Sequence, residues 1–184
     1  MPDKKPRRAL PGEPAGRALV ERVLRVDHAG EYGAKRIYEG QLAVLGGTQA
    51  GDVIRGMADN EAEHLAWFEK AMIAEGVRPT ALSPFWHVAG FALGAATALM
   101  GPKAAMACTV AVEETIDAHY QRQEAALGPH ERTLKAAIKR FHAEELAHRD
   151  TALAHEAEQA PGYRAMKGAI KAGCRAAIWI AERV

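Results

Sequence analysis

Two short stretches decide the fold: Asn60-Glu61-Ala62-Glu63-His64-Leu65 (NEAEHL) and Glu144-Glu145-Leu146-Ala147-His148 (EELAH). Each places a glutamate three residues before a histidine, Glu61 before His64 and Glu145 before His148. On an α-helix, positions i and i+3 project from one face, one turn apart. The neighbours say which way that face looks. Ile54, Met57, Glu61, His64, Phe68 and Met72 share one stripe, and Leu134, Ile138, Phe141, Glu145, His148 and Ala152 share another. A helical bundle buries stripes of this kind, and an ionised carboxylate placed there costs several kcal/mol unless it is paired or bound to a metal.

Upstream of each pair stands a further glutamate on an apolar stripe. Glu31 aligns with Leu24, Tyr38 and Leu42, and Glu113 aligns with Met106, Val110 and Tyr120. The unit therefore occurs twice: a lone core-facing Glu on one helix, then Glu-x-x-His on the next. The offsets are 30 residues from Glu31 to Glu61 and 32 from Glu113 to Glu145. Two such helix pairs, related by an approximate two-fold axis, would bring four carboxylates and two imidazoles into one core. This is the donor set of ferritin-like di-iron and di-manganese carboxylate bundles. Four carboxylates also balance two divalent ions, so the site can be buried without net charge.

The rest of the chain agrees with an all-α, ferritin-like four-helix bundle carrying additional apolar, membrane-associating helices. Helical periodicity predicts helices over about 18–45, 52–75, 103–127 and 131–159, ended by Gly46-Gly47, Gly76, Gly128-Pro129 and Pro161-Gly162. No segment reads as a strand. Residues 85–101, FWHVAGFALGAATALMG, hold no charged side chain. A spanning helix needs about 20 apolar residues; this run is shorter and is followed by Pro102, so it reads as a segment inserted into one leaflet or as a buried core helix. Gly90 and Gly94, four apart, form a small-residue packing face. The last segment, from Tyr163 on, sets Lys167, Lys171 and Arg175 along one edge and Ile170, Cys174, Ile178, Trp179 and Ile180 over much of the rest. Residues 1–16 read as a flexible arm with no apolar core for a secretory signal, and 17–184 as one domain.

Composition excludes other classes. Twenty-four Lys plus Arg face 23 Asp plus Glu in 184 residues, so there is no basic excess to attract nucleic acid. Cys108 and Cys174 are far apart in apolar helical patterns, which leaves neither a disulfide framework nor a cysteine metal site. Glu63, Glu114 and Glu144 neighbour the six candidate ligands, but the stripes select Glu113 and Glu145. His28, Asp117, His119 and His142 are candidates for orienting those ligands, and Tyr120 for a hydrogen bond near the metals.

The stretches RVDHAGEYGAKRIYEGQ, EAEHLAWFEK, AMACTVAVEETIDAHY and EELAHRD resemble the demethoxyubiquinone hydroxylases of ubiquinone biosynthesis, over essentially everything after residue 20. The resemblance implies a membrane-bound di-iron monooxygenase that uses dioxygen to hydroxylate the ring of a demethoxyubiquinol. It implies one iron held by Glu31 and His64, the other by Glu113 and His148, with Glu61 and Glu145 bridging. It implies His119 and Tyr120 as residues beside the site, and NADH as the ultimate reductant. The implied surroundings are membrane lipid, a polyprenyl quinol and a lipid-binding accessory protein of the pathway, and the family pattern is compatible with an oligomer. The implied location is peripheral, at the cytoplasmic face of a bacterial inner membrane or the matrix face of a mitochondrion. The arm lacks transit-peptide character, which favours a bacterial enzyme or a mature form.

Three other classes compete. A ferritin-like ferroxidase would use similar ligands but has no need of the 85–101 run. A non-catalytic membrane-associated helical scaffold leaves four core carboxylates unexplained. A rubrerythrin-like peroxidase would need a four-cysteine iron module, which two cysteines do not build.

Overall fold

A computed structural model describes residues 16–183; the expected flexible arm, Gly16 apart, lies outside them. Among the described residues there are six α-helices and no strand: α1 (Arg17–Leu45), α2 (Gln49–Glu75), α3 (Ser83–Leu99), α4 (Pro102–Ala126), α5 (Arg132–Ala154) and α6 (Tyr163–Ala181), with a 3-10 turn at Ala157–Gln159.

Local chemistry marks several boundaries. The Thr48 side chain accepts from the Gly51 N–H and so starts α2 at Gln49, three residues ahead of the expected start at about 52. Gly76, at φ 65°, closes α2 in the left-handed conformation that glycine adopts without cost, and the Val77 N–H reaches back to Met72 O. Pro102 opens α4, where its missing N–H is no loss.

The fifth helix departs from expectation. Its periodicity runs on to Gln159, but the helix stops at Ala154 and the chain turns through Glu156, at φ 61°. Packing overrides propensity here. Ala157 is fully buried and joins Ala104 and Ala105 of α4 in one apolar cluster, while Lys103 holds the turn through Glu156 and Gln159.

α1, α2, α4 and α5 form the bundle. α1 pairs with α2 and α4 with α5, while α3 lies along the outside of α1 and α6 along the outside of α4. The pseudo-two-fold axis thus relates three-helix units, α1–α2–α3 to α4–α5–α6. Two apolar clusters bracket a polar layer: one built on Tyr38, Ile54, Met57, Met106 and Val110, the other on Leu24, Phe68, Tyr120, Ile138 and Phe141.

The apolar segment α3 is not a buried core helix. Only Gly94, Thr97 and Ala98 of it are buried, and Phe85 and Val88 stand open, as do Leu99 and Met100 at its C-terminal end. Its glycine face lets the backbones of α1 and α3 approach closely. A Cβ on Gly94 would lie 1.9 Å from Ile37 O, and one on Gly40 would lie 2.2 Å from Phe91 O. No described helix is long and apolar enough to cross a membrane. On α6, Lys167 and Lys171 both bond the Glu114 carboxylate and so fasten that helix to α4.

Candidate metal centre

All six side chains marked by the two Glu-x-x-His pairs and their upstream partners meet in the polar layer. α1 supplies Glu31, α2 Glu61 and His64, α4 Glu113, and α5 Glu145 and His148. None is more than 5 % exposed. They form two groups of four, Glu31–Glu61–His64–Glu145 and Glu61–Glu113–Glu145–His148, within each of which one donor atom per residue lies within 4.8 Å of the others. Glu61 and Glu145 belong to both groups.

Both rings turn Nδ1 inward. His64 Nδ1 is 3.1 Å from Glu145 Oε1 and 3.4 Å from Glu31 Oε2. His148 Nδ1 is 3.2 Å from Glu145 Oε2 and 3.3 Å from Glu61 Oε1. Their Nε2 atoms face outward, His64 to Glu144 at 2.5 Å and His148 to the Asn60 amide at 3.3 Å.

The donors fit a pair of metal ions. Both oxygens of Glu61 and Nδ1 of His64 are buried without a hydrogen-bond partner, which is costly for a side chain with nothing to bind. The charge distribution points the same way. Burial, then the charges of Glu145, Glu31 and Glu113, pushes Glu61 well above the usual carboxylate range. Burial and then Glu145 do the same to Glu113, and burial foremost raises Glu31. Burial opposes ionisation of Glu145 as well, but the His148 and His64 rings beside it hold its pKa down at about 2. Burial disfavours the charged His64 ring, yet Glu145 and Glu31 hold its pKa up to about 10. The cluster carries more carboxylates than two imidazoles can balance, and divalent cations would balance them.

Two tyrosines cross the bundle. Tyr120 donates to Glu31 Oε1 at 2.6 Å, and Tyr38 donates to Glu113 Oε1 at 3.2 Å. Burial and the facing glutamate push both phenols well above their ordinary value, so both act as donors. Tyr120, the candidate for a hydrogen bond near the metals, makes its bond to a candidate ligand of the opposite half. The pseudo-symmetry reaches this level, because Glu31, Tyr38 and Gln41 have their counterparts at Glu113, Tyr120 and Gln123.

His119 touches none of the six. Its Nε2 lies 3.2 Å from Asp27 Oδ1, which also accepts from Gln123 Nε2 at 2.7 Å. His142 sits between Asp117 and Glu124, edge-on to Tyr120, without reaching a candidate ligand. His28 is buried with its Nδ1 unpartnered. Glu114 turns away to Lys167 and Lys171. Tyr38, Asn60, Asp27 and Glu144 were not singled out for these contacts by the sequence; the signal for Tyr38 was its seven-residue spacing from Glu31, equal to that of Tyr120 from Glu113.

Above the polar layer is a cavity of about 30 Å³, with Glu31, Glu61, Glu113 and Glu145 at its floor. Asp27, His119 and Tyr120 form one wall, and Val26, Val112, Ile116 and Ile178 supply apolar surface. The cavity is one-sided: the positions equivalent to Asp27 and His119 in the other half are Thr109 and Ile37. Trp86 of α3 and Ile178 of α6, the latter also in the cavity lining, both pack on the cluster of Val26, Ala29 and Ala181.

A family model described as ubiquinone biosynthesis protein COQ7 matches residues 18–181. The 3-demethoxyubiquinol 3-hydroxylase of Rhodospirillum rubrum is 57 % identical over 176 residues, covering 95 % of this chain and 83 % of its own. The mouse NADPH-dependent 3-demethoxyubiquinone 3-hydroxylase, mitochondrial, is 57 % identical over 171 residues, covering 91 % and 79 %. The yeast 5-demethoxyubiquinone hydroxylase, mitochondrial, is 40 % identical with the same coverage. Matched along nearly its whole described length, the chain belongs to the COQ7 family of ubiquinone biosynthesis proteins.

Proposed function

We propose that this chain hydroxylates the ring of a 3-demethoxyubiquinol, with two iron ions held by Glu31, Glu61, His64, Glu113, Glu145 and His148. The observation that carries the reading is the pair of four-donor groups sharing Glu61 and Glu145 at the floor of a partly apolar cavity. Glu31 and His64 would hold one ion and Glu113 and His148 the other, with Glu61 and Glu145 available to both.

Iron bound there would supply the activation of dioxygen that the protein's own side chains do not. The overall reaction places one oxygen atom on the ring and releases the other as water, consuming two electrons and two protons. The protein supplies geometry and a dry site. Tyr120 and Tyr38 orient Glu31 and Glu113, and Glu144 and Asn60 orient the two imidazoles. Asp27, His119 and Tyr120 give the cavity wall its polar face, which a bound ring would meet. The cavity has room for water-sized molecules only, so admitting a ring requires its lining, Ile178 of α6 included, to move.

The electrons come ultimately from a reduced nicotinamide. NADH is the expected donor, and the mouse relative's name specifies NADPH; supplying each in turn separates the two. The open side chains of α3 together with Trp179 of α6, 57 % exposed, suit a peripheral position on a membrane surface, at the cytoplasmic face of a bacterial inner membrane or the matrix face of a mitochondrion. The polyprenyl tail then stays among the lipids while the ring reaches the cavity. A lipid-binding accessory protein would dock on the same side.

The test is turnover with labelled dioxygen. Iron-loaded protein, a short-tailed demethoxyquinol and reductant should give a product heavier by one labelled oxygen atom. Two bound irons with no hydroxylated product would favour a ferroxidase instead.

A further inference from the structure

The six candidate ligands and the two crossing tyrosines match between the halves of the centre, but the residue before each shared glutamate does not. Before Glu145 stands Glu144, whose carboxylate meets His64 Nε2 at 2.5 Å; before Glu61 stands Asn60, whose amide meets His148 Nε2 at 3.3 Å. Each contact crosses between α2 and α5. A carboxylate is thus paired with one imidazole and a neutral amide with the other.

We infer that this exchange makes the two metal positions unequal, the position at His64 being the tighter and the first to fill. The inference rests on the metal reading above and goes beyond it by ranking the positions. Both rings present Nδ1 to the carboxylates, so with metal on Nδ1 each Nε2 carries the proton and donates outward. At His64 that bond is charge-assisted, ending on the Glu144 carboxylate, and it makes the ring a stronger electron donor. At His148 the facing group is the Asn60 amide, its Nδ2 3.3 Å from Nε2; turned so that its oxygen accepts from a protonated Nε2, it offers only a neutral, weaker bond. Glu144 also brings a fifth negative charge to the edge of the centre on that side only. Glu144 and Asn60 are positioning residues, since neither belongs to the four-donor groups.

Occupancy follows in order. A first divalent ion settles among Glu31, Glu61, His64 and Glu145. The second enters beside His148 and shares bridging carboxylates already turned toward the first.

The experiment is an anaerobic calorimetric titration of the metal-stripped full chain with iron(II), with cobalt(II) d–d absorption as a spectroscopic readout independent of turnover. The wild type should bind two ions in resolved steps. Glu144→Gln should weaken the first step about ten- to a hundredfold and shift the cobalt bands seen at one equivalent, leaving the second step in place. Asn60→Asp should strengthen the second step. His148→Ala should keep a tight first ion that His64→Ala loses. The Glu144 side chain is 38 % exposed, so its replacement leaves the core filled, and Glu144→Asp should recover part of the loss. Two equivalent wild-type sites, or equal weakening of both steps by Glu144→Gln, would overturn the ranking while sparing the metal reading. A wild-type chain that binds no ion would overturn both.

Discussion

Tyr120 donates its hydroxyl to Glu31 at 2.6 Å, across the bundle rather than along its own helix. Tyr38 returns the contact to Glu113, so each glutamate contributed singly is held by the opposite half. Tyr120→Phe and Tyr38→Phe should each keep two-ion stoichiometry while weakening the ion on the affected side, on the order of tenfold. Calorimetric titration checks this, and a variant with wild-type affinity at both positions contradicts it.

Glu61→Gln separates a ligand from a structural carboxylate. Both Glu61 oxygens are buried and unpartnered, so removing the charge should raise the thermal midpoint of the metal-stripped chain. The same change should abolish the stabilisation that iron(II) brings and reduce turnover below detection. Differential scanning calorimetry with and without metal reads both effects. A fall in the metal-stripped midpoint would show that Glu61 stabilises the fold instead.

The pH dependence has a definite sign. Glu31, Glu61 and Glu113 titrate above their ordinary 4.5 in the folded chain, so the folded state binds more protons than the unfolded. Their contribution is present below about 4.5 and is lost as pH rises through their folded values. Glu145, at about 2, has the opposite sign, but its contribution is complete above 4.5 and lost only as pH falls toward 2. His64 has the same sign as the three raised glutamates: its contribution is complete below about 6.5 and is lost as pH rises from there toward about 10. Between pH 5 and 8 the metal-stripped chain should therefore become less stable. Bound metal removes the repulsion, so its gain in midpoint should grow over that range. An ion at a hundred times its dissociation constant stabilises by about 2.7 kcal/mol, or roughly 5–10 °C for a chain of this size. A gain that shrinks with rising pH would refute the assignment.

Gly94→Ala should loosen α3 from α1. Its Cβ would meet Ile37 O at 1.9 Å, and overpacking of this kind costs typically ~1–3 kcal/mol. Gly47→Ala, with nothing within 4 Å, serves as the control. Chemical denaturation of both variants measures the difference, and equal midpoints would refute the close approach as a packing constraint.

Phe85→Ser with Val88→Ser should reduce flotation with phospholipid vesicles and slow turnover of a long-tailed quinol, leaving a short-tailed one unaffected. Equal losses on both substrates would place these side chains in the cavity's chemistry rather than at a lipid surface.

Much of this was legible in the sequence because burial and charge collide at six positions. A glutamate on a stripe with Phe68 or Phe141 has to be accounted for, and the repeat of the pattern supplies the account. The outward partners were less legible. Asn60 and Glu144 lie beside the stripe and look solvated, and their contacts join helices distant in sequence. The cross-bundle reach of Tyr120 was hidden for the same reason: the sequence sets Tyr120 on the stripe of Glu113, and only the packing of two helices selects Glu31 as its partner. The early end of α5 depends on the burial of Ala157 against α4, which no local propensity encodes.

The crossing tyrosines bear on how the protein is assembled. Each three-helix unit carries two carboxylates and one imidazole, but the phenol that steadies its lone glutamate belongs to the other unit. A chain severed between Met100 and Gly101 would yield two fragments that are obligate complements, each soluble or folded only in the other's company. The same reciprocity describes how such a protein could have begun: as two identical copies of one unit facing each other, fused afterwards, with Asn60, Glu144, Asp27 and His119 marking where the halves have since diverged.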